Sequence, residues 1–152
     1  MSFVVRDLKR EDRPGWETLW AGYLEFYEAK MEPVTIEVTW SRLLDPNEPM
    51  FALVAEDTET HELIGFVNCV IHRGTWSISN FCYLEDLFTA ASARKRGVGR
   101  ALIEAVYARA DELQCAHTYW LTQASNETAR KLYDQVARND GFIQYRRDTP
   151  KP

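Results

Sequence analysis

Two neighbouring stretches decide the fold: Leu84-Glu85-Asp86-Leu87-Phe88-Thr89, and, after a short connection, Arg94-Lys95-Arg96-Gly97-Val98-Gly99-Arg100-Ala101-Leu102. The first reads as the end of a strand. The second is a basic, glycine-containing loop that opens a helix. The first amides of a helix have no partner within it, and the helix dipole places partial positive charge there. Such a start is an anion cradle. Gly97 and Gly99 remove side chains where phosphate oxygens approach, and Arg94, Lys95, Arg96 and Arg100 add charge. The loop is not a P-loop, because no G-x-x-x-x-G-K-[ST] is present. It sits too late in the chain, and lacks the third glycine, for a dinucleotide fingerprint.

Downstream, Val98, Ala101, Leu102, Ala105, Val106 and Leu113 mark one face of a helix over residues 97–114. Residues 117–122 read as a strand. Ser125-Asn126 is a helix start signal, followed by Ala129, Leu132, Tyr133, Val136 and Ala137 at helical spacing. Asp140-Gly141 stops that helix, and residues 142–147 read as a final strand. Upstream, residues 79–89 form a long strand, and residues 51–56 and 63–72 an antiparallel hairpin with a polar turn. Residues 3–6 form a first strand. Pro14 opens an aromatic-rich helix to about residue 29, and residues 35–44 form a second helix, ended by Asp45-Pro46-Asn47. The expectation is a mixed α/β domain, antiparallel strands first and strand–helix alternation after, in one domain over residues 1–152.

Composition excludes several classes. The chain has 152 residues and a formal net charge of −5, with no basic stripe of the kind a nucleic-acid binder shows. Cys69, Cys82 and Cys115 are scattered and odd in number, with no metal-ligand spacing, and His61, His72 and His117 add none. No metal is expected. The N-terminus lacks a signal peptide's apolar core, and no apolar run reaches the roughly 18 residues of a membrane helix. A cytoplasmic protein without membrane or nucleic-acid partners is expected.

Arg94-x-x-Gly97-x-Gly99 resembles the pyrophosphate-binding signature of the GNAT acetyltransferases. Tyr119-Trp120-Leu121-Thr122, Asn126-x-x-Ala129-x-x-Leu132-Tyr133 and Gly141-Phe142-x-x-Tyr145 resemble that family's later motifs. Tyr83-Leu84-Glu85-Asp86-Leu87-Phe88 is similar to the branch of spermidine/spermine and thialysine acetyltransferases, and to a fungal-type branch acting on histone tails, polyamines or amino acids. His72-Arg73-Gly74-Thr75-Trp76 is closer to the second. Ala91 stands where the family often has proline.

The resemblance implies the GNAT fold: a central, mostly antiparallel sheet with a splayed strand pair, flanked by helices. It implies direct transfer of acetyl from acetyl-CoA to a primary amine in a ternary complex, and a homodimer. A small polyamine- or amino-acid-like acceptor is expected, with protein amines, or a non-catalytic CoA-sensing module, as alternatives.

Glu85 is the candidate general base, directly or through water; it could instead bind the substrate ammonium. Asp86 competes for the role, since a bulge would exchange the two. A backbone amide near Leu87, Phe88 or Thr89 would polarise the thioester carbonyl. Tyr133 matches the family's acid for the leaving thiolate, though it lies on an apolar helix face and could be core. Asn126 would hold pantetheine, cap its helix, or both. Arg94, Lys95, Arg96, Gly97, Val98, Gly99 and Arg100 would hold the pyrophosphate. Trp20, Tyr23, Tyr27 and Trp76, with Glu85 and Asp86, are candidates for the acceptor site, where aromatic walls suit alkylammonium groups. Glu25 and Glu28 would add charge. The competing reading of the aromatic stripe is core.

Overall fold

The structure is a computed structural model that describes residues 2–151. They form two compact units, one ending at Leu121 and one starting at Thr122.

The first unit is built on a five-stranded sheet in sequential order: β1 (Phe3–Asp7), β2 (Met50–Asp57), β3 (Leu63–His72), β4 (Phe81–Thr89) and β5 (Thr118–Tyr119). β1 to β4 pair antiparallel, and β4 pairs with β5 in parallel. The sheet is therefore mixed. β2 and β3 are nearly continuous apolar runs, as strands covered on both faces must be.

One face carries α1 (Arg13–Phe26) and α2 (Pro33–Leu44). Trp16, Leu19, Trp20, Trp40 and Leu43 pack there against Val54 and Phe66. The aromatic stripe of α1 is thus largely core: Trp16 is fully buried, and Trp20 lies between Trp16 and Phe66 at centroid distances of 5.6 Å to each. Helix α1 ends at Phe26, three residues before the expected end at residue 29. Glu28 turns left-handed (φ 52°), and the amides of Glu28 and Ala29 bond back to the carbonyls of Glu25 and Leu24. This is a Schellman stop formed without glycine.

The other face carries α3 (Val98–Glu112), which buries Val98, Leu102, Ile103, Val106 and Ala110. Gly65 lets it approach. A Cβ there would lie 2.9 Å from Val98 and 3.1 Å from the Phe88 carbonyl oxygen. Phe66 and Asn68 therefore face α1, while Gly65, Val67 and Cys69 face α3.

The strand expected over residues 117–122 is shorter. Only Thr118 and Tyr119 join the ladder, opposite Cys82 and Tyr83. Pairing stops just before a β-bulge in β4. Asn68 pairs with Asp86 and Cys69 with Leu84, leaving Glu85 as the extra residue. A bulge bends its strand and increases twist, which carries the rest of β4 off the line of β5.

The second unit contains α4 (Glu127–Val136), capped by the Asn126 side chain, which accepts from the Ala129 amide at 3.4 Å. The helix ends at Val136 rather than at Asp140-Gly141. Gly141 is left-handed (φ 84°), and its amide donates to the Asn139 side chain at 2.9 Å. The expected strand at residues 142–147 is not formed. A strand exists only where a neighbouring backbone completes its ladder, and no ladder includes these residues. Phe142, Ile143 and Tyr145 are left exposed.

Candidate active site

The bulge changes which residues share a face. Strict alternation would put Leu84, Asp86 and Phe88 on one side and Glu85 and Leu87 on the other. Leu84, opposite Cys69, instead faces α3. Asp86 and Phe88 face α1: Asp86 accepts a hydrogen bond from the Tyr23 hydroxyl at 2.8 Å and from the Asn68 side-chain amide at 3.1 Å, and Phe88 packs edge-on to Tyr23 at 5.9 Å. Glu85, inserted between them, stays exposed, and no described residue donates a hydrogen bond to its carboxylate.

The two carboxylates are thus separated in role by their surroundings. Asp86 is deeply placed, and burial raises its pKa against the lowering effect of Asn68 and Tyr23. Its lone pairs are engaged by fixed donors. Partial desolvation also raises the pKa of Glu85, and the neighbouring Asp86 charge adds to the shift. Glu85 in turn helps raise the hydroxyl pKa of Tyr23, Tyr83 and Tyr119, behind burial as the main cause in each. A carboxylate of raised basicity stands among tyrosine hydroxyls, free to accept a proton.

Beside it lies an open strand edge. The Ala90 amide donates to Ile64 on β3 at 2.9 Å. By alternation Leu87 and Thr89 turn their N–H and C=O groups away from β3, towards the side where β5 has stopped. The Thr89 carbonyl there accepts from Arg94 Nε at 3.5 Å. An extended amide-bearing ligand can complete such an edge as a strand would.

The edge leads into the cradle. After a short 3₁₀ turn at Ala91–Ala93, Lys95 and Gly97 are both left-handed (φ 67° and 82°), and Gly97 is the N-cap of α3. A Cβ at Gly97 would meet nothing within 4 Å, so the approach to the first α3 amides is open there. Arg94 lies over the Phe26 ring at 5.9 Å, and Lys95 is exposed. Arg96 differs from its neighbours. Its guanidinium donates to Asp57 at 3.2 Å, and both side chains are largely buried. Asp57 also accepts from the Glu59 and Thr60 amides in the β2–β3 turn. Arg96 thus ties the cradle to the hairpin and is not a free charge.

Tyr23 and Tyr27 meet edge to face at 5.0 Å beside Asp86 and Glu85. Trp20 is behind them in the core, 4 % exposed. Trp76 stands on the β3–β4 connection, 95 % exposed. Glu25 and Glu28 are exposed at the end of α1. Asn126 and Tyr133 belong to the second unit, where Asn126 caps α4 and Tyr133 is half-buried on it. Two surface hollows along α2, one including Glu37 and Arg42, the other Arg10 and Trp40, contain none of these residues. The candidate site is therefore read from the bulge and the open edge.

Two contributors were not singled out from the sequence. Asn68, which holds Asp86, is signalled only as a polar residue in the middle of an apolar strand. Asp57, which holds Arg96, looks like an ordinary turn residue.

A bulged strand with an open edge beside it runs into an anion cradle at the next helix, an arrangement able to take an extended, phosphate-bearing ligand. The family model described as the acetyltransferase (GNAT) family matches residues 6–137. The chain belongs to that family and is an acyl-CoA-dependent N-acetyltransferase. It is 37% identical over 145 residues to the D-amino-acid N-acetyltransferase HPA3 of Saccharomyces cerevisiae, covering 95% of this chain and 90% of the relative. Among solved structures it is similar to AAC(6')-Iy in complex with the bisubstrate analog CoA-S-monomethyl-acetylneamine, with a TM-score of 0.85, 18% identity and coverage of 99% and 100%. It is also similar to the ribosomal-protein-alanine N-acetyltransferase of Brucella melitensis biovar Abortus 2308, with a TM-score of 0.80, 20% identity and coverage of 97% and 100%. Among the described residues no helix is long and apolar enough to cross a membrane, and no cluster of His, Cys, Asp or Glu could hold a metal.

Proposed function

We propose that the protein acetylates a primary amine of a small amino-acid- or polyamine-like acceptor, using acetyl-CoA, by direct attack in a ternary complex. The observation that carries this reading is the bulge, which sets Glu85 free of protein donors beside the opened edge of β4. Acetyl-CoA, when bound, supplies the activated thioester. Glu85 takes a proton from the acceptor ammonium, directly or through a water, so that nitrogen can attack. Its raised pKa makes it a stronger base than an ordinary glutamate. The Leu87 and Thr89 amides face the opened edge, where they hold the pantetheine arm and stabilise charge developing on the thioester oxygen. Phe88 turns inward and supports the wall.

The start of α3 holds the pyrophosphate through the backbone of residues 96–99, with Arg94, Lys95 and Arg100 adding charge. Tyr133 holds the proton delivered to the leaving sulfur, and Asn126 fixes the start of the helix that carries it. Tyr23 and Tyr27 form the acceptor wall, and Asp86 adds negative potential behind it. The 37% identity to a D-amino-acid acetyltransferase supports an amino-acid-like acceptor.

The family match runs across both units, which supports a single domain. A homodimer is supported by the exposed Phe142, Ile143 and Tyr145, apolar side chains left for a partner surface to cover. Three free cysteines fit a reducing, cytoplasmic setting. Thiol release from acetyl-CoA, measured against D- and L-amino acids, spermidine, an aminoglycoside and a lysine peptide, tests the reading. Release dependent on a small amine is expected. Release with the peptide alone would overturn the acceptor class.

A further inference from the structure

On the α1 face of the sheet, past the cover of α1, two residues from different strands form a short hydrogen bond. The Tyr119 hydroxyl lies 2.6 Å from His72 Nε2. His72 Nδ1 is 2.8 Å from the Arg73 carbonyl oxygen. A carbonyl only accepts, so Nδ1 carries the proton and Nε2 presents its lone pair. The Tyr119 hydroxyl therefore donates to His72, leaving its own oxygen lone pairs for a donor on the other side.

The position of Tyr119 gives this meaning. It is the last residue of β5 in the ladder, opposite Tyr83, and the two rings stack at 4.9 Å with an interplanar angle of 16°. The sheet opens immediately beyond, and Glu85 stands on the bulge two residues after Tyr83 along β4. The Glu85 charge bears on the Tyr119 hydroxyl. His72, at the end of β3, is partly exposed. The other titratable or charged groups around the pair include Arg73 after β3, Cys82, Tyr83 and Glu85 on β4, and His117 before β5, whose ring is 5.8 Å from that of Tyr119.

We propose that Tyr119 and His72 form the route by which the proton removed from the acceptor amine leaves the site. This rests on the acetyltransferase reading above. The amine N–H bond breaks towards Glu85 or its water, and a proton passes to the Tyr119 oxygen as the Tyr119 hydroxyl proton moves to His72 Nε2. The resulting imidazolium gives a proton to solvent, and Tyr119 and His72 return to their starting forms. Glu85 is thus reset as a carboxylate each turnover. His72 acts through Tyr119 and positions its hydroxyl.

The test is steady-state kinetics of Tyr119→Phe, which keeps the ring stack, and His72→Gln, which can accept from Tyr119 but carries no extra proton. Each is expected to lower kcat about tenfold or more near neutral pH, with KM for acetyl-CoA unchanged. The deficit should shrink as pH rises towards the acceptor's own pKa, where free amine is abundant. His72→Ala should regain activity with added imidazole. If either of these variants melts early, its partner and the imidazole arm still decide the matter. Wild-type kcat in both Tyr119→Phe and His72→Gln, or a deficit constant across pH with no imidazole rescue, would overturn the route while leaving the acetyltransferase reading intact. A wild-type protein that releases no thiol with any amine would overturn both.

Discussion

At the scale of single residues, two adjacent carboxylates with different surroundings divide the work of the site as proposed. Glu85→Gln removes the base while keeping size and polarity. It is expected to lower kcat/KM for the amine by about 10²-fold. In the wild type, activity should fall with acid as Glu85 takes up a proton. Because its pKa is raised by desolvation and by Asp86, that acid limb should lie above the ordinary glutamate range. A pH–rate profile checks both. Asp86 behaves differently. Its pKa is raised chiefly by burial, so the unfolded chain loses this proton at lower pH than the folded one. The ionised group therefore costs stability, fully above the folded pKa and not at all below the unfolded one. Asp86→Asn can keep the Tyr23 bond. A flipped Asn68 would then offer its Oδ1, which has no protein partner, to the new amide. The variant should unfold within about 1 kcal/mol of wild type or later at pH 8, and wild type should gain on it as pH falls towards the unfolded pKa. Denaturant melts at two pH values read this directly.

At the scale of elements, the hairpin, the long strand before the cradle and the helix after it are all legible from periodicity. β3 spans the very residues the apolar run marks, Leu63–His72. The bulge is not legible in this way. Glu85 and Asp86 stand side by side between Leu84 and Leu87, so a bulge is one option the sequence leaves open, and only pairing with Asn68 and Cys69 shows that Glu85 is the extra residue. The aromatic stripe of α1 is ambiguous for a related reason. Spacing tells which residues share a face but not where the core ends and the site begins. Trp20 is buried in the core, and Tyr23, one turn on, is half-buried with its hydroxyl bonded to Asp86. Asn126, by contrast, is legible as a cap from its place before a helical run, and it caps α4. The final strand does not form because a strand needs a neighbouring backbone segment to complete its ladder, and one segment's pattern does not supply that neighbour.

The cradle carries a prediction at this scale. Gly97 is left-handed with open space around it, so Gly97→Ala introduces backbone strain and no clash. A cost of about 1–2 kcal/mol in thermal or denaturant unfolding is expected, together with weaker CoA binding. CoA affinity should also fall between low and high salt, because the exposed charges of Arg94 and Lys95 are screened. Calorimetric titration at two salt concentrations checks it; equal affinities would remove their ionic role.

At the scale of the whole molecule, the exposed apolar side chains of Phe142, Ile143 and Tyr145 call for a covering surface, and a second copy is the proposed one. Sedimentation equilibrium should give twice the chain mass of 17.7 kDa. Replacing Phe142 and Ile143 with serine should shift it towards a single chain. A monomer at high concentration in the unaltered protein would contradict the dimer. Acceptor identity belongs to this scale too, since the proposed site draws on residues far apart in sequence: Tyr23 from α1, Asn68 from β3, Glu85 and Asp86 from β4. The family is legible in several separated motifs along the chain, whereas the acceptor depends on that assembly.

In the proposed reaction an acetyl group moves from acetyl-CoA to a small primary amine with Glu85 as base. Mass spectrometry of the reaction with a D-amino acid and with spermidine, run beside wild type and Glu85→Gln, tests it most directly. The account predicts an acetylated amine in step with released CoA for wild type, no acetylated protein, and product slowed by about 10²-fold in the variant. Acetyl-enzyme accumulating in place of product, or a variant as fast as wild type, would contradict it.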